Sequence, residues 1–323
     1  MTGIETPRAL VLGSRGQDGS YLVEHLLRRG YTVAGVARGL QPRGGPELPP
    51  FRHVCLDLRQ PARLASLLAE WRPATIFHFA AVHGRAGTRY ETEWQDMLAV
   101  NVGAVHVCLE YLRQHQPAGV LVYAGSSKVF GPVFPSVVTE QSPLRATCLY
   151  TVTKNAALDL ISCYRRDHGI KASVLHFFNH ESERRESQFF VPKLVASLYR
   201  SLRDQHHRAV FDTLEFHCDW GAAEEYTDIA VDIAERMPVE DVIVATGRTL
   251  SGRELAKQIF ARHGLQYQNH VVDRGAANPA NCTFAASTER LARMIGRTPQ
   301  VGIVDVCERI LAALVRENEG DIA

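Results

Sequence analysis

The sequence lacks the marks of membrane, secreted and nucleic-acid-binding proteins. No apolar run in its 323 residues approaches the roughly 20 residues that a membrane-spanning helix requires, and the N-terminus carries no signal-peptide apolar region. An excess of one charge is also missing, because 36 Lys and Arg side chains stand against 35 Asp and Glu, a net charge of +1. This balance indicates neither a nucleic-acid partner nor an acidic membrane surface.

Cysteine motifs are missing as well. The 7 cysteines show no Cys-x-x-Cys spacing, and most of them lie in apolar surroundings. Such cysteines are typical of reduced, mostly buried thiols, so the sequence predicts a cytoplasmic protein without a zinc site or any other metal site.

What the sequence does contain is a regular alternation of β-branched runs and helical patterns as far as Phe178. The predicted strands are Ala9–Leu12, Tyr31–Val36, Arg52–Leu56, Thr75–Phe79, Gly119–Ala124, Ala172–Phe177 and, further on, Asp241–Ala245. The predicted helices are Asp18–Arg29, Pro61–Trp71, Trp94–Gln114 and Leu149–His168. Strands that alternate with helices imply right-handed crossovers, which predicts an α/β fold with a doubly wound parallel sheet of the Rossmann type.

The pattern changes after Phe178, where charged, aromatic and irregular stretches follow. We predict a Rossmann domain over residues 1–178 and a smaller, interleaved C-terminal region over residues 179–323, with a segment near 205–250 returning to the first domain. The proline- and glycine-rich stretch Gly39–Phe51 is predicted to be a long loop that contacts a cofactor or another subunit.

A glycine-rich turn follows the first predicted strand and opens the first predicted helix. It contains Gly13, Arg15, Gly16, Gln17, Asp18 and Gly19, which are candidate cofactor-binding residues. Glycines in such a turn allow close approach of the backbone to a pyrophosphate and close packing of the helix, whose N-terminus attracts phosphate. The strand, turn and helix context distinguishes a dinucleotide site from an ordinary glycine-rich turn.

The end of the second predicted strand bears on the choice of dinucleotide. An NAD site usually presents an acid to the ribose 2′-hydroxyl about 20 residues after the turn. Here Arg38 stands at that place and no acid does, which favours a 2′-phosphate and hence NADP, although NAD stays possible. Asp57 and Leu58 follow the third predicted strand and are candidates for contact with the adenine ring; alternatively, Asp57 caps the helix that begins near Pro61.

Three residues form a candidate hydride-transfer site. Tyr150 and Lys154 lie one helical turn apart on one face, so a nearby ammonium would favour the phenolate of Tyr150. Ser126 follows a predicted strand at the carboxyl edge of the sheet, where doubly wound folds bind their ligands. Serine, tyrosine, lysine and the glycine turn in this order form the constellation of the short-chain dehydrogenases/reductases.

Within that group the chain resembles the extended short-chain dehydrogenases, and among them the GDP-mannose 4,6-dehydratase family. The similar segments are the cofactor turn from Gly16 to Leu22, the run from Phe178 to Arg185, the group of Asp219, Trp220 and Tyr226, and the run from Ala245 to Thr249. The resemblance implies NADP and a GDP-linked hexose as ligands, and a homodimer or homotetramer. It also implies Ala80 as a cofactor contact and Asn179, Arg185 and Lys193 as substrate contacts, although Lys193 is equally well an exposed helix residue.

The resemblance fails at Lys128. The family reaction oxidises the sugar at C4, after which a glutamate removes the C5 proton and water leaves from C6; the family motif Thr-Ser-Glu reads Ser126-Ser127-Lys128 here. A lysine is a cation and a poor base unless burial or a neighbouring cation depresses its pKa. The sequence therefore favours 4-oxidoreduction or 4-epimerisation over a complete 4,6-dehydration with Lys128 as base, and a non-catalytic NADP-binding regulator is the alternative from another class.

Overall fold

The structure, a computed structural model, describes residues 6–39, 51–83, 90–237, 239–276 and 283–320. Most of the predicted loop Gly39–Phe51 lies outside these residues. The strands of the described part are β1 Arg8–Leu12, β2 Thr32–Ala37, β3 Phe51–Cys55, β4 Thr75–His78, β5 Val120–Ala124, β6 Val137–Val138, β7 Lys171–Phe177, β8 Asn179–Glu181, β9 Ala209–Phe211, β10 His217–Ala222, β11 Asp241–Val244, β12 Thr249–Ser251, β13 Val271–Asp273 and β14 Ala285–Ala286. Its helices are α1 Gln17–Arg28, α2 Pro61–Trp71, α3 Trp94–Leu98, α4 Ala104–His115, α5 Leu149–His168, α6 Phe190–Ser201, α7 Ala223–Arg236, α8 Gly252–Arg262, α9 Glu289–Ile295 and α10 Ile303–Gly320.

The central sheet has seven parallel strands in the order β11-β7-β5-β4-β1-β2-β3. Strand β1 shows why its run is continuously apolar. Leu10 and Leu12 pack on the side of α2, α4 and α5, whereas Ala9 and Val11 pack on the side of α1, α7 and α9. Both faces of the sheet are therefore covered, as parallel sheets require, and the predicted doubly wound α/β fold is confirmed.

The C-terminal part builds a second core. Strands β8, β10 and β12 form a small sheet, and α6, α8 and α10 enclose an apolar cluster around Trp220 and Phe260. Strand β11 leaves this part and pairs with β7 at the edge of the central sheet, while α7 packs in the cluster that also contains α1. The predicted boundary between residues 178 and 179 stays a prediction. No helix of the described ranges has the length and apolar character needed to cross a membrane.

One predicted helix is wrong, because it is not continuous. Residues Trp94–Gln114 do not form a single α-helix, because α3 ends at Leu98 and a π-helical turn, Ala99–Gly103, precedes α4. The wider turn carries Asn101, whose fully buried amide exchanges two hydrogen bonds of 2.9 Å with the backbone of Val82 and donates to Thr153. A π-helical turn adds one residue to the helical period and so changes the direction of the side chains that follow. The apolar pattern of the sequence does not indicate such a turn.

Candidate active site

A cavity of about 740 Å³ opens at the carboxyl edge of the central sheet. Strand order reverses between β1 and β4, and in doubly wound sheets the crevice at such a point binds the ligand. The cavity is lined by the glycine turn, by the loops after β2, β4, β5 and β7, and by the first turn of α5. All the predicted cofactor and catalytic residues line it, together with Asn179 and Arg185.

The glycine turn is shaped for a dinucleotide. Gly13 has a φ of 91°, and a Cβ there would lie 2.7 Å from the amide nitrogen of Ala80. A Cβ at Gly19 would overlap the carbonyl oxygen of Gly13, so both glycines are required by packing. Helix α1 begins beyond Gly16, where no side chain caps its first amides. These amides face the cavity and fit the pyrophosphate of a dinucleotide.

The glycine turn also makes polar contacts with β8 and the residue after it, on the opposite side of the cavity. The His180 imidazole and the Asp18 carboxylate are 2.9 Å apart, and the Ser182 hydroxyl donates to the side chain of Gln17 at 2.9 Å. Burial alone would raise the pKa of Asp18, but the neighbouring His180 outweighs it and the pKa is lowered. The side chains of Gln17 and Asp18 therefore join the glycine turn to β8 and the residue after it across the cavity.

Two arginines lie at the other end of the turn. Arg15 and Arg38 are exposed and line the cavity, and a Cβ at Gly39 would lie 2.6 Å from a guanidinium nitrogen of Arg15. Both side chains carry the charge and the hydrogen-bond donors that a 2′-phosphate requires.

Asp57 and Leu58 line the cavity after β3. Asp57 pairs with Arg59 at 2.5 Å, and the hydrogen bond from Arg59 lowers the pKa of that carboxyl. The alternative reading of Asp57 as a helix cap is wrong, because Gln60 is the N-terminal cap position of α2. Leu58 is buried.

We call Ser126, Tyr150, Lys154 and the carbonyl of Ala124 the cavity floor. Tyr150 is 7% exposed and Lys154 is 2% exposed, on the first two turns of α5. The Lys154 ammonium donates to the carbonyl oxygen of Ala124 at 2.7 Å and lies 4.4 Å from the ring centre of Tyr123. The Ser126 hydroxyl is hydrogen-bonded to the Tyr150 phenol. A hydroxyl placed against Tyr150 would therefore meet both a proton acceptor and a second hydrogen-bonding group.

Burial moves the pKa values of the floor in opposite directions. It raises the pKa of Tyr150 to about 12, against the hydrogen bond from Ser126, and it lowers the pKa of Lys154 to about 7. The expectation that Lys154 favours the phenolate of Tyr150 stays a prediction. Desolvation disfavours both charged forms, and the ammonium lies 5.8 Å from the centre of the Tyr150 ring.

We call Lys128, Asn179 and Arg185 the cavity wall. Lys128 is exposed, its ammonium lies 5.8 Å from the centre of the Tyr150 ring, and its backbone amide donates to Ser126. Arg185 stacks on Phe189, with 3.7 Å between the guanidinium carbon and the ring centre. Asn179 is exposed at the start of β8. The wall thus presents two cations and an amide to the same space as Tyr150.

Lys193 does not join the other predicted substrate residues. It lies on the exposed side of α6, its ammonium donates to the carbonyl oxygen of Val210 at 2.7 Å, and it is not among the residues that line the cavity, although Phe189 and Phe190 beside it are. Val191, Leu194 and Val195 take the buried side of the same helix.

Glu181 is 4% exposed and lines the cavity behind the wall, a place that no sequence motif assigned to it. Burial raises its pKa to about 7, and its carboxylate lies 3.7 Å from the Nε of Arg185. Phe189, Phe190 and Trp220 also line the cavity and went unassigned, although the Asp219-Trp220-Gly221 motif pointed to the last of them.

Comparison with known proteins adds a second line of findings. A family model described as GDP-mannose 4,6 dehydratase matches residues 10–293. GDP-mannose 4,6 dehydratase 1 of Arabidopsis thaliana is 28% identical over 331 aligned residues, which cover 96% of this chain and 89% of that protein. Among solved structures, dTDP-glucose 4,6-dehydratase of Bacillus anthracis in complex with NAD aligns with a TM-score of 0.81 at 17% identity, covering 97% of this chain and 98% of the other. UDP-glucose 4-epimerase of Thermotoga maritima aligns with a TM-score of 0.78 at 17% identity, covering 96% of this chain and 99% of the other. The two structural likenesses bear on the fold alone.

Proposed function

The chain belongs to the GDP-mannose 4,6-dehydratase family and is an enzyme of the extended short-chain dehydrogenase/reductase type, and from that premise we propose that it transfers a hydride at C4 of a GDP-linked hexose. The net reaction that we propose is 4-oxidoreduction or 4-epimerisation. The observation that carries this choice is Lys128, an exposed lysine beside Tyr150 at the position of the family's glutamate.

The floor supplies the groups for C4 chemistry. A proton moves between the sugar O4 and the Tyr150 Oη, and the Ser126 hydroxyl holds the same sugar oxygen. Lys154, with its pKa lowered to about 7 by burial, can gain or lose a proton near neutrality beside this pair. The nicotinamide, when bound, supplies the hydride acceptor.

Elimination of water from C6 needs a base at C5, and the position of the family's glutamate holds a lysine, Lys128, which is exposed. Asp18 is paired with His180, and Asp57 with Arg59. Glu181 lines the cavity with a pKa that burial raises to about 7, but it faces Arg185 from a position behind the wall. A full GDP-hexose 4,6-dehydratase is the alternative, in which Lys128 or another group takes the C5 proton.

For the cofactor we propose NADP over NAD, on the strength of Arg15 and Arg38. Both arginines are exposed at the cavity beyond the glycine turn. The dTDP-glucose 4,6-dehydratase of Bacillus anthracis is in complex with NAD, so the choice has to be tested on this chain. Arg38→Ala should weaken NADP binding by about tenfold and leave NAD binding nearly unchanged, as measured by calorimetry. Equal losses for both dinucleotides would contradict the assignment.

The proposed assembly is a homodimer or homotetramer in the cytoplasm, as in the proteins that the chain resembles. A non-catalytic NADP-binding regulator on the same fold is the competing proposal. It is disfavoured because Ser126, Tyr150 and Lys154 are all present and lie together. If Tyr150→Phe kept the full biological function, the regulator would be the better reading.

The deciding experiment begins with mass spectrometry of the nucleotide released when the purified protein is denatured. The protein is then incubated with a panel of GDP-hexoses and NADP, and the products are analysed. We expect a 4-keto sugar or the C4 epimer, and no product with Tyr150→Phe. A 4-keto-6-deoxy product would establish the dehydratase alternative.

A further inference from the structure

Lys128 brings a positive charge to the cavity that the chemistry at C4 does not use. It is exposed on the wall, and no ion pair joins it to a carboxylate in the described ranges of the chain. Its backbone is fixed, because the amide of Lys128 donates to the Ser126 hydroxyl and Ser127–Phe130 form a short 3-10 helix. The backbone thus places Lys128 at the cavity, which its exposed side chain lines.

The other cations near Tyr150 each have a partner or a counter-charge beside them. Lys154 is buried and donates to the carbonyl of Ala124 at 2.7 Å. Arg185 stacks on Phe189, and its Nε lies 3.7 Å from the carboxylate of Glu181 without a hydrogen bond. Lys128 has no carboxylate paired with it in the described ranges, which makes it the cation best placed to receive an anion brought in by the sugar itself.

The distance between the Lys128 ammonium and the Tyr150 ring limits the positions of the sugar at which that anion can lie. The Lys128 ammonium lies 5.8 Å from the ring centre of Tyr150, within the span of one sugar ring. If Tyr150 meets O4, then Lys128 meets a substituent next to C4. The C6 carbon, attached at C5, is the place in that neighbourhood where a hexose acquires a charge by simple oxidation.

We propose that Lys128 binds a C6 carboxylate, so that the substrate is a nucleotide-linked hexuronate rather than a neutral hexose. This inference rests on the proposed C4 chemistry. A charge-assisted hydrogen bond between an ammonium and a carboxylate is stronger than one to a neutral hydroxymethyl group. A hexuronate also has no C6 hydroxyl to lose, so its turnover needs no base at the position where Lys128 stands.

The same contact protects the oxidised sugar. Oxidation at C4 removes a hydride from C4 and a proton from O4, which leaves a ketone two carbons from the carboxylate. Such a β-keto acid loses CO2 when the electron pair of the C5–C6 bond moves towards C5 and the ketone. An ammonium that holds negative charge on the carboxylate opposes this movement of electrons.

The test uses matched pairs of sugars that differ only at C6, GDP-mannose with GDP-mannuronate and the corresponding gluco and galacto pairs. Dissociation constants are measured by calorimetry with the NADP-loaded protein, and cofactor reduction is followed by absorbance. For at least one pair we expect the hexuronate to bind tenfold or more tightly than the hexose. Lys128→Gln should remove about tenfold of that ratio, and Lys128→Arg should keep most of it.

Lys257→Gln is the matched control, because it removes one lysine charge from the exposed side of α8, away from the cavity. It should leave the ratio of the two dissociation constants as in the unaltered protein. Product analysis adds a second readout: after turnover of a hexuronate, Lys128→Gln should release a larger share of CO2 and pentose product.

The outcomes separate this inference from the proposed function. A binding preference for hexuronates that depends on Lys128, without cofactor reduction by any sugar, would support the carboxylate site and count against C4 chemistry. Cofactor reduction by neutral hexoses with no preference for hexuronates would support C4 chemistry and overturn the carboxylate site. A preference that survives Lys128→Gln unchanged would overturn it too.

Discussion

Tyr150 stands between the cavity floor and the cavity wall, and each side presents a lysine whose ammonium lies 5.8 Å from the centre of the tyrosine ring. Lys154 on the floor is 2% exposed and donates to a backbone carbonyl, and burial lowers its pKa to about 7. Lys128 on the wall is exposed to solvent. The comparison teaches that two lysines at the same distance from one ring can have different environments, one desolvated with a lowered pKa and the other in contact with water.

The largest effect is expected from replacing Lys154, and it is an effect on the rate of cofactor reduction. Lys154→Met should slow cofactor reduction by roughly 10³-fold, since proton-transfer groups typically contribute 10²- to 10⁴-fold to a rate. The measurement is a single-turnover experiment that follows the absorbance of the reduced nicotinamide with a sugar the unaltered enzyme oxidises. Lys257→Met is the control. A loss smaller than about tenfold would mean that the buried lysine takes no part in the chemistry.

The glycine turn is a third part of the cavity, and Gly19 tests how tightly it is packed. A Cβ at Gly19 would overlap the carbonyl oxygen of Gly13, and backbone atoms cannot move aside cheaply. Gly19→Ala should therefore lower the free energy of unfolding by about 3 kcal/mol, measured by denaturant titration.

Gly16→Ala is the matched variant, because its added Cβ would lie 3.4 Å from the nearest atom, the same carbonyl oxygen of Gly13. This variant should lose less than about 1 kcal/mol of stability. It should nevertheless bind the dinucleotide more weakly, since a methyl group would stand where the pyrophosphate approaches. Equal losses of stability in the two variants would show that the turn is less tightly packed than the distances indicate.

The glycine turn and the floor were predictable from the sequence because their determinants are local. The strand, turn and helix around Gly13 lie within one continuous segment, and Tyr150 and Lys154 share one helix face by spacing alone. The alternation of strands and helices likewise predicted the parallel sheet.

The wall was less predictable because it lies in an irregular part of the chain. Glu181 and Arg185 are only four residues apart, but they do not share a helix, so their approach is set by the path of the chain after β8 and by the burial of Glu181. The position of Lys193 outside the cavity could have been read from α6, where Val191, Leu194 and Val195 form the buried stripe. The π-helical turn that carries Asn101 left no signal in the apolar pattern.

The pH dependence of stability should show the effect of burying Lys154. The ordinary pKa of a lysine is 10.5, and that of Lys154 in the folded protein is about 7. Between these values the unfolded chain binds more protons, so the stability of the unaltered protein rises with pH from about 7 to about 10.5. At or below pH 7 the folded protein bears the full cost of the buried ammonium.

Lys154→Met removes that cost together with the hydrogen bond to Ala124. Near pH 6 to 7 the variant should gain about 2 kcal/mol in free energy of unfolding, which is the removed cost of burying the ammonium less the contribution of the lost hydrogen bond. The gain should shrink as the pH approaches 10. Denaturant titrations of both proteins at several pH values check this, and a gain that grows with pH would contradict the assigned direction.

The smallest effect is expected at the wall, and it decides whether the two sides act independently. Water screens the charge of an exposed lysine, so Lys128→Gln should change the free energy of unfolding by less than about 0.5 kcal/mol. The same change in the Lys154→Met background should be additive within about 0.5 kcal/mol, since the two side chains share no hydrogen bond or ion pair in the described ranges and each ammonium lies as far as 5.8 Å from the centre of the Tyr150 ring between them. A larger coupling energy would mean that the two ammonium groups repel each other through Tyr150. In that case the charge on the wall would help to set the proton affinity of the floor, and the carboxylate of a bound hexuronate would change both.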